Sequence, residues 1–575
     1  MSEAAASPEV PAKVVKETKA QRSERLKLAK NPWDAWDEVR QFAREGRDSV
    51  LPEWTGLYFK WWGVYTQGDG IGATGGVGGE GKATEYFMMR IGLPNGILTS
   101  HQLRVIGGIT RKHARNLSDI TTRQNIQLHW LTIESLVDVI DQLTEIGLSP
   151  KGACGDVVRN VTGCPLAGID GHELVDASPL AVEIAHHLTA NPAFYNLPRK
   201  FKVSVTGCPL WCSYPEINDV GLTAIKRGDE VGYTLRVGGG LSTEPHMAVR
   251  IPAFIRQDQA LAVTTATAEI FREQQELREN RTRARLKYLF MRHGWTAESF
   301  LAALEEKLGY RLDPSPADQD IIPDDIYRDH IGVTRQRQDG LSSVGASVLR
   351  GRLTGEQLEQ LADLADEYGS GELRTTIMQN ILIVNVPNDK TIALIEALKQ
   401  IDLHVEVSPF WRGAIACTGT EFCKLAIAET KAFSKWLVSE MEDRLPGFDQ
   451  QIKLHVTGCT NSCGQHWIAD IGLEGKKLKH NGVITDAFYF CVGGAVGKYA
   501  GAARPLGYRA AAEDVPAAIE RMLRGYLAQR APEEDLRAYF ARTDDATLRT
   551  QLAGEPITPV ERDMAPAGGG HAVDA

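Results

Sequence analysis

Four cysteines have the types and spacing most able to do chemistry. Cys417 and Cys423 close the stretch ACTGTEFC, and Cys459 and Cys463 lie in TGCTNSCG, which gives C-x5-C and then C-x3-C. Four thiolates from one chain can hold zinc or an iron–sulfur cluster, and zinc sites pair their ligands through short knuckles that C-x5-C fits poorly. The spacing therefore favours iron–sulfur. Four unrelated core thiols are the competing reading, and the Gly, Thr and Ser flanking each pair, which permit tight loops, weigh against it. The chain has 9 cysteines in all, and thiols in a cytosolic chain are more often ligands or catalytic groups than disulfides.

The elements that must position these thiols occur twice. GILTSHQLRVIGGI (96–109) pairs with GRLTGEQLEQLADL (351–364) at a separation of 255, and Gln124-Asn125-Ile126 pairs with Gln379-Asn380-Ile381 at the same separation. Arg159 and Cys164 match Arg412 and Cys417 at 253, VTGCPLWC (205–212) matches VTGCTNSC (456–463) at 251, and RVGGG (236–240) matches CVGGA (491–495) at 255. Chance would not hold nearly constant offsets over five segments, so the chain is a duplicated unit of about 250 residues with pseudo-twofold symmetry. A cofactor can lie between the halves. Cys164, Cys208 and Cys212 stand at the repeat equivalents of Cys417, Cys459 and Cys463, with Asp170 where the counterpart of Cys423 would be. A second cluster would lack its fourth ligand, and the three are expected to be a relic of the duplication.

Within the first copy MMRIGLP reads as a strand and SHQLRVIGGITRKHA as a helix; NIQLHWLTI alternates as a strand and ESLVDVIDQLTEIG is amphipathic. This is α+β architecture with small βαβ-type units. GIGATG (70–75) fits G-x-G-x-x-G, but it sits in a long glycine tract without the strand-to-helix context of a dinucleotide site and is read as a flexible loop. The N-terminal thirty residues, polar and without a signal-peptide core, are read as a solvated arm on a cytoplasmic protein, and the end APAGGGHAVDA as a disordered tail.

Taken together, ACTGTEFC, TGCTNSCG, DVVRN (156–160) and LPRKFK (197–202) resemble the siroheme and 4Fe-4S nitrite and sulfite reductases, over roughly residues 50–530. The resemblance implies that Cys417, Cys423, Cys459 and Cys463 ligate one 4Fe-4S cluster, with Cys463 also bridging to the siroheme iron. Nitrite and sulfite are anions whose six-electron reduction needs cationic donors to hold the oxyanion and promote loss of its oxygens as water. By resemblance these are Arg90, Arg159, Lys200 and Lys202. Siroheme carries eight carboxylates that need charged partners or backbone donors; Arg123, with Thr121, Gln127 and His129, matches the segment that cradles the macrocycle. His129 reads equally well as a satisfied strand histidine. Tyr65 and Cys154 match positions near the siroheme that are covalently joined in some sulfite-reducing members; here they are expected to be free.

The implied fold is a duplicated nitrite/sulfite reductase fold: an N-terminal arm and extension (1–82), a ferredoxin-like half-domain (83–145) and a siroheme and substrate domain (146–331). These are followed by a second half-domain (332–403), a 4Fe-4S and siroheme domain (404–530) and a C-terminal tail (531–575). No flavin or nicotinamide module is apparent, so electrons must come from another protein. The family's single-chain forms use reduced ferredoxin, with a flavoprotein as the alternative donor. An acidic ferredoxin requires a basic patch, and RENRTRARLK (278–287) offers one, unless it is a solvated helix face. FMMRIGLPNG, TTRQN and CPLAGID favour nitrite, whereas Lys202 resembles the sulfite enzymes. A non-catalytic iron–sulfur carrier or sensor is the remote alternative. A net charge of −10 argues against nucleic acid, no apolar run is long enough to span a bilayer, and the expected working unit is a monomer.

Overall fold

The LT-x-x-Q shared by the two repeats is a helix start. Thr99 and Thr354 each accept a hydrogen bond from the backbone N–H three residues on (3.1 Å), while Gln102 and Gln357 reach back to the threonine N–H (3.0 Å). Each is a capping box that satisfies two otherwise orphaned donors. The helices they open, Ser100–His113 and Gly355–Tyr368, pack against each other on the pseudo-twofold axis. Their approach is close: a Cβ at Gly107 would lie 2.8 Å from the Gly355 carbonyl, and one at Gly355 would lie 2.6 Å from the Gly107 carbonyl.

This computed structural model describes residues 17–67, 86–210, 212–316 and 328–562. The GIGATG tract and the APAGGGHAVDA end lie outside the described residues, as do the first sixteen. Four sheets organise the rest. Three are five-stranded and one is six-stranded; two of the five-stranded sheets belong to the half-domains, and each is completed by the other: Arg352–Leu353 joins the sheet of Phe87–Ile91, Ile126–Leu131 and Ser118–Ile120, while Ile97–Thr99 joins that of Leu341–Ala346, Ile381–Pro387 and Glu372–Thr375. This reciprocal strand exchange fuses the two repeats. A single hydrophobic core spans them, from Leu103 and Ile106 to Leu358 and Leu361, each such fully buried side chain contributing about 1.5–3 kcal/mol.

The other two sheets also correspond. Thr162–Gly163, Val203–Thr206 and Val220–Arg227 run parallel and continue antiparallel into Glu230–Val237 and Val249–Arg256. Ala414–Ala416, Leu454–Thr457, Ile471–His480, Val483–Val492 and Arg504–Ala511 repeat that order and sense. Even the unusual backbone recurs: Asn95 and Arg350, Gln124 and Gln379, and Tyr214 and Gln465 all adopt positive φ, from 53° to 64°, a conformation that non-glycine residues hold only when their surroundings enforce it. The strand and helix readings of the first half-domain hold, as Phe87–Ile91, Ser100–His113, Ile126–Leu131 and Ile133–Glu145.

Three expectations need correction. The N-terminal arm is not simply solvated: Lys19–Ala29 is a helix whose Lys27 is buried, donating to the Leu197 carbonyl at 2.9 Å and pairing with Asp156 at 3.7 Å. Residues after 530 are not all tail, since the helices Leu536–Arg542 and Asp545–Ala553 put Leu536, Tyr539, Phe540, Leu548 and Leu552 into the core of the second large domain. The basic run 278–287 is neither an open patch nor a solvated helix face. Arg278 pairs with Glu24, Arg281 with Asp156, Arg283 with Glu244 and Arg285 with Asp219, and Lys287 is buried against the Leu241 carbonyl. Its arginines are matched to carboxylates from distant segments, Arg283 being the one of the four that stays half-exposed.

Candidate active site

The cysteines follow the C-terminal ends of the parallel strands, where ligands gather in sheets of this kind. Cys417 comes directly after Ala414–Ala416, and Cys459 two residues after Leu454–Thr457. All four thiols are close enough to act on one another: burial raises Cys417, Cys423 and Cys459, and the neighbouring thiols raise each further, Cys423 to about 12 and Cys459 well above the usual thiol range. Backbone amides counter this. The N–H of Gly458 donates to Cys417 Sγ at 3.2 Å, with further backbone donors from Gly419 to Cys417, from Leu425 and Ala426 to Cys423, and from Asn461 to Cys459. The N–H groups offset part of the cost of burying thiolates, the form that binds metal, and four thiols gathered in one pocket with such donors fit an iron–sulfur cluster. Cys463 alone is exposed, and Thr122 of the first half-domain hydroxyl-bonds its carbonyl at 3.2 Å, which ties the end of the cysteine loop to the facing repeat.

Across from the thiols lies a concentration of cations. Arg90, on Phe87–Ile91, sits opposite Gln127 in register; it donates to Gln127 Oε1 and to Cys154 Sγ, both at 3.0 Å, and its Nε has no partner. Burial works against its charge, but Cys154, Tyr65, Cys463 and Cys423 outweigh burial and raise its pKa. Arg159 is locked by the carbonyls of Gly155 (2.7 and 3.0 Å) and Ala153 (3.1 Å). Lys200 and Lys202 flank Phe201, which bridges to Val158, and among the described residues neither Nζ has a hydrogen-bonding or carboxylate partner. Burial, then repulsion from Arg285 and Arg199, pushes Lys200 down to about 7; burial, then Arg123 and Lys200, holds Lys202 well below the usual lysine range. Both side chains remain partly accessible although protein surrounds them, the condition of groups lining a hollow.

The siroheme-cradle residues divide. Arg123 is in the cation cluster, pushed down to about 9 by burial and then by Arg159. It spends donors on Asn218 Oδ1 (2.8 Å) and the Asn160 carbonyl (2.6 Å), leaving Nε without a partner. Thr121 Oγ1 accepts from the N–H groups of Arg123 and Asn125 and so shapes the loop. His129 is buried, bonded through Nε2 to Asp119 at 2.9 Å and stacked on Phe422, while its Nδ1 has no partner among the described residues. Tyr65 is a neighbour of Cys154, and burial and that thiol raise it to about 12. A pocket holding this many cations with so few carboxylates, and with orphaned Arg90 and Arg123 nitrogens, fits a ligand bearing many carboxylates, as siroheme does.

Sequence reasoning missed the carboxylates that frame the pocket. Asp219 takes Arg285 at 2.8 Å and the Lys202 N–H at 2.9 Å; Asp156 takes Arg199 at 3.1 Å and Arg281 at 2.7 Å. A signal existed: Lys202 and Asp219 recur 251 residues later as Lys453 and Asp470, whose N–H to carboxylate bond is repeated at 2.6 Å.

Comparison with known proteins agrees with this geometry. The family model described as the nitrite and sulphite reductase 4Fe-4S domain matches residues 154–312 and 409–556, and that of the nitrite/sulfite reductase ferredoxin-like half domain matches 80–146 and 334–401. The chain is 36% identical to the assimilatory ferredoxin-dependent nitrite reductase of Haloferax mediterranei, over 92% of each chain. It is 35% identical to sulfite reductase [ferredoxin] 1 of Mycolicibacterium paratuberculosis, over 92% of this chain and 96% of that one. Among solved structures it superposes on the Mycobacterium tuberculosis NirA protein with a TM-score of 0.87 at 34% identity, covering 92% of this chain and 97% of the other.

Proposed function

The chain belongs to the nitrite and sulphite reductase family, and from that premise we propose that it reduces nitrite to ammonia with six electrons from reduced ferredoxin. Siroheme and a 4Fe-4S cluster, when bound, supply the site for the nitrogen of the oxyanion and the path for single electrons. Cys417, Cys423, Cys459 and Cys463 would hold the cluster, and Cys463, the exposed thiol of the four, would lie on its siroheme side. Arg123 and the free edge of Arg90 would meet siroheme carboxylates. Arg159, Lys200 and Lys202 would face the substrate.

The observation that carries the reading is the buried cation cluster set against the four thiols, because Lys200 senses Cys463 and Arg90 senses both Cys463 and Cys423. Its residues have two tasks. Preorganised charge holds an anion that water would otherwise keep. The two nitrite oxygens leave as water, so protons must be delivered, and Lys200 Nζ, with its pKa pushed down to about 7, can give one up near neutrality. The three carbonyl bonds on Arg159 fix its guanidinium before substrate arrives.

Sulfite reduction to sulfide is the second reading, favoured by Lys202 and by relatives named for that activity. Lys202 recurs as Lys453 in the other repeat, in the same bond to an aspartate, so its presence reflects the duplicated loop as much as the substrate. The working unit is a single chain acting in the cytoplasm, which sedimentation and cell fractionation test. Among the described residues no helix is long and apolar enough to cross a membrane. Steady-state kcat/KM with reduced ferredoxin, taken separately for nitrite and sulfite, decides the substrate: a higher value for nitrite is expected, and a higher value for sulfite overturns the choice.

A further inference from the structure

The three cysteines of the first repeat gain a partner that no sequence offset reveals. Cys164 follows the strand Thr162–Gly163, and Cys208 and Cys212 follow Val203–Thr206. His330 arrives from the segment that crosses into the second half-domain. Cys212 and Cys164 lie sulfur to sulfur at 3.4 Å, and one ligand atom each from Cys164, Cys212 and His330 lie within 4.8 Å of one another; Cys164, Cys208 and Asp170 do likewise. We propose that Cys164, Cys208, Cys212 and His330 form a tetrahedral site for a single zinc ion, which clamps the crossover between the two repeats.

The size of the site argues for one ion. Zinc–sulfur bonds of about 2.3 Å in a tetrahedron put the sulfurs about 3.8 Å apart, close to the 3.4 Å between Cys164 and Cys212; Cys208, grouped with Cys164 but not with Cys212 and His330, must draw in to complete the set. A 4Fe-4S cluster needs four thiolates, and the first repeat brings three. Soft thiolates with one imidazole select zinc among the common divalent ions.

The chemistry of the pocket also asks for an occupant. All four side chains are buried, and both ring nitrogens of His330 lack a hydrogen-bond partner. A buried unsatisfied polar group costs about 1–3 kcal/mol, and a metal bond to one nitrogen removes part of that cost. Asp170, the other contender for the fourth position, is already engaged: Oδ2 takes Arg328 at 2.7 Å and Oδ1 takes the His172 N–H at 3.0 Å. It serves instead as the outer partner that fixes Arg328 beside a site of three thiolates and one dication.

His330 is placed, not incidental. Its φ is +61°, a strained choice for a non-glycine residue that surrounding contacts must maintain. Arg328–Asp170 holds one side and the Asp329–Arg412 pair, at 2.7 and 2.8 Å, holds the other. At position 345 only glycine fits, since a Cβ there would fall 1.8 Å from the His330 carbonyl. Zinc would be held by the thiolate forms, so its binding is expected to strengthen as pH rises.

Metal analysis by mass spectrometry on the holoenzyme, purified without chelator, tests this. Wild type is expected to carry one zinc per chain beside its iron. Cys212→Ser and His330→Ala are expected to lose the zinc and keep the iron and the visible spectrum, and His330→Cys to restore zinc. Wild-type protein without zinc, whether its thiols titrate as free or Cys164 and Cys212 are found as a disulfide, overturns the proposal, as does full zinc retention in His330→Ala.

Discussion

Lys200→Met separates what the cation pocket costs the empty protein from what it gives the reaction. In the cofactor-free fold burial, then Arg285, Arg199 and Arg159, holds Lys200 near 7 against 10.5 for a free lysine, a difference worth about 5 kcal/mol at most. Part of the side chain is open to the hollow, and about 1–3 kcal/mol is a fair expectation after screening. Between pH 7 and 10.5 the unfolded chain keeps the proton that the folded chain has lost, so unfolding binds protons and this group lowers stability progressively as pH falls from 10.5 to 7. Lys200→Met is therefore expected to raise the unfolding midpoint of cofactor-free protein at pH 7, with the gain fading toward pH 10.5. The same change is expected to cut turnover by about 10²–10³, the value of one preorganised donor. Denaturant titrations at pH 7 and pH 10, beside steady-state assays of the holoenzyme, read both. A less stable cofactor-free variant, or turnover within a few-fold of wild type, refutes the reasoning.

Cys463→Ser is expected to abolish the electronic coupling between cluster and siroheme seen by electron paramagnetic resonance; an unchanged coupled signal contradicts the shared ligand. Asp119→Asn removes the buried carboxylate that Arg352 (3.0 Å), Lys431 (3.5 Å) and His129 (2.9 Å) share; Arg352 keeps Glu421, but Lys431 loses its carboxylate, and the change should destabilise the protein by about 3–5 kcal/mol, read from the denaturant midpoint. Gly107→Ala forces apart the helix pair on the pseudo-twofold axis and is expected to cost about 1–3 kcal/mol, checked by thermal unfolding.

What the sequence made legible was what repeats. Thr99 and Thr354, Gln124 and Gln379, and the two VTGC stretches stood out because each performs the same backbone task twice: Gln124 bonds the Thr375 carbonyl and Gln379 the Ile120 carbonyl, each at 2.9 Å and each across to the other half. The gathering of Cys417, Cys423, Cys459 and Cys463 into one pocket was legible for the same reason, together with their spacing. The strand exchange was not, because a two- or three-residue edge strand such as Arg352–Leu353 has no periodicity of its own and is defined by the partner it meets. Nor was the fate of residues 278–287: a run of arginines looks alike whether solvated or matched to Glu24, Asp156, Glu244 and Asp219 from distant segments. His330 was hidden because it has no counterpart in the repeat.

The most direct test of the central claim is the electron count. Purified holoenzyme, given a limiting amount of nitrite and excess reduced ferredoxin without oxygen, should oxidise six ferredoxins per nitrite and return one ammonium. Fewer electrons with nitric oxide released, or no consumption of nitrite by protein carrying both siroheme and cluster, would contradict the assignment of the cation pocket as a six-electron reduction site.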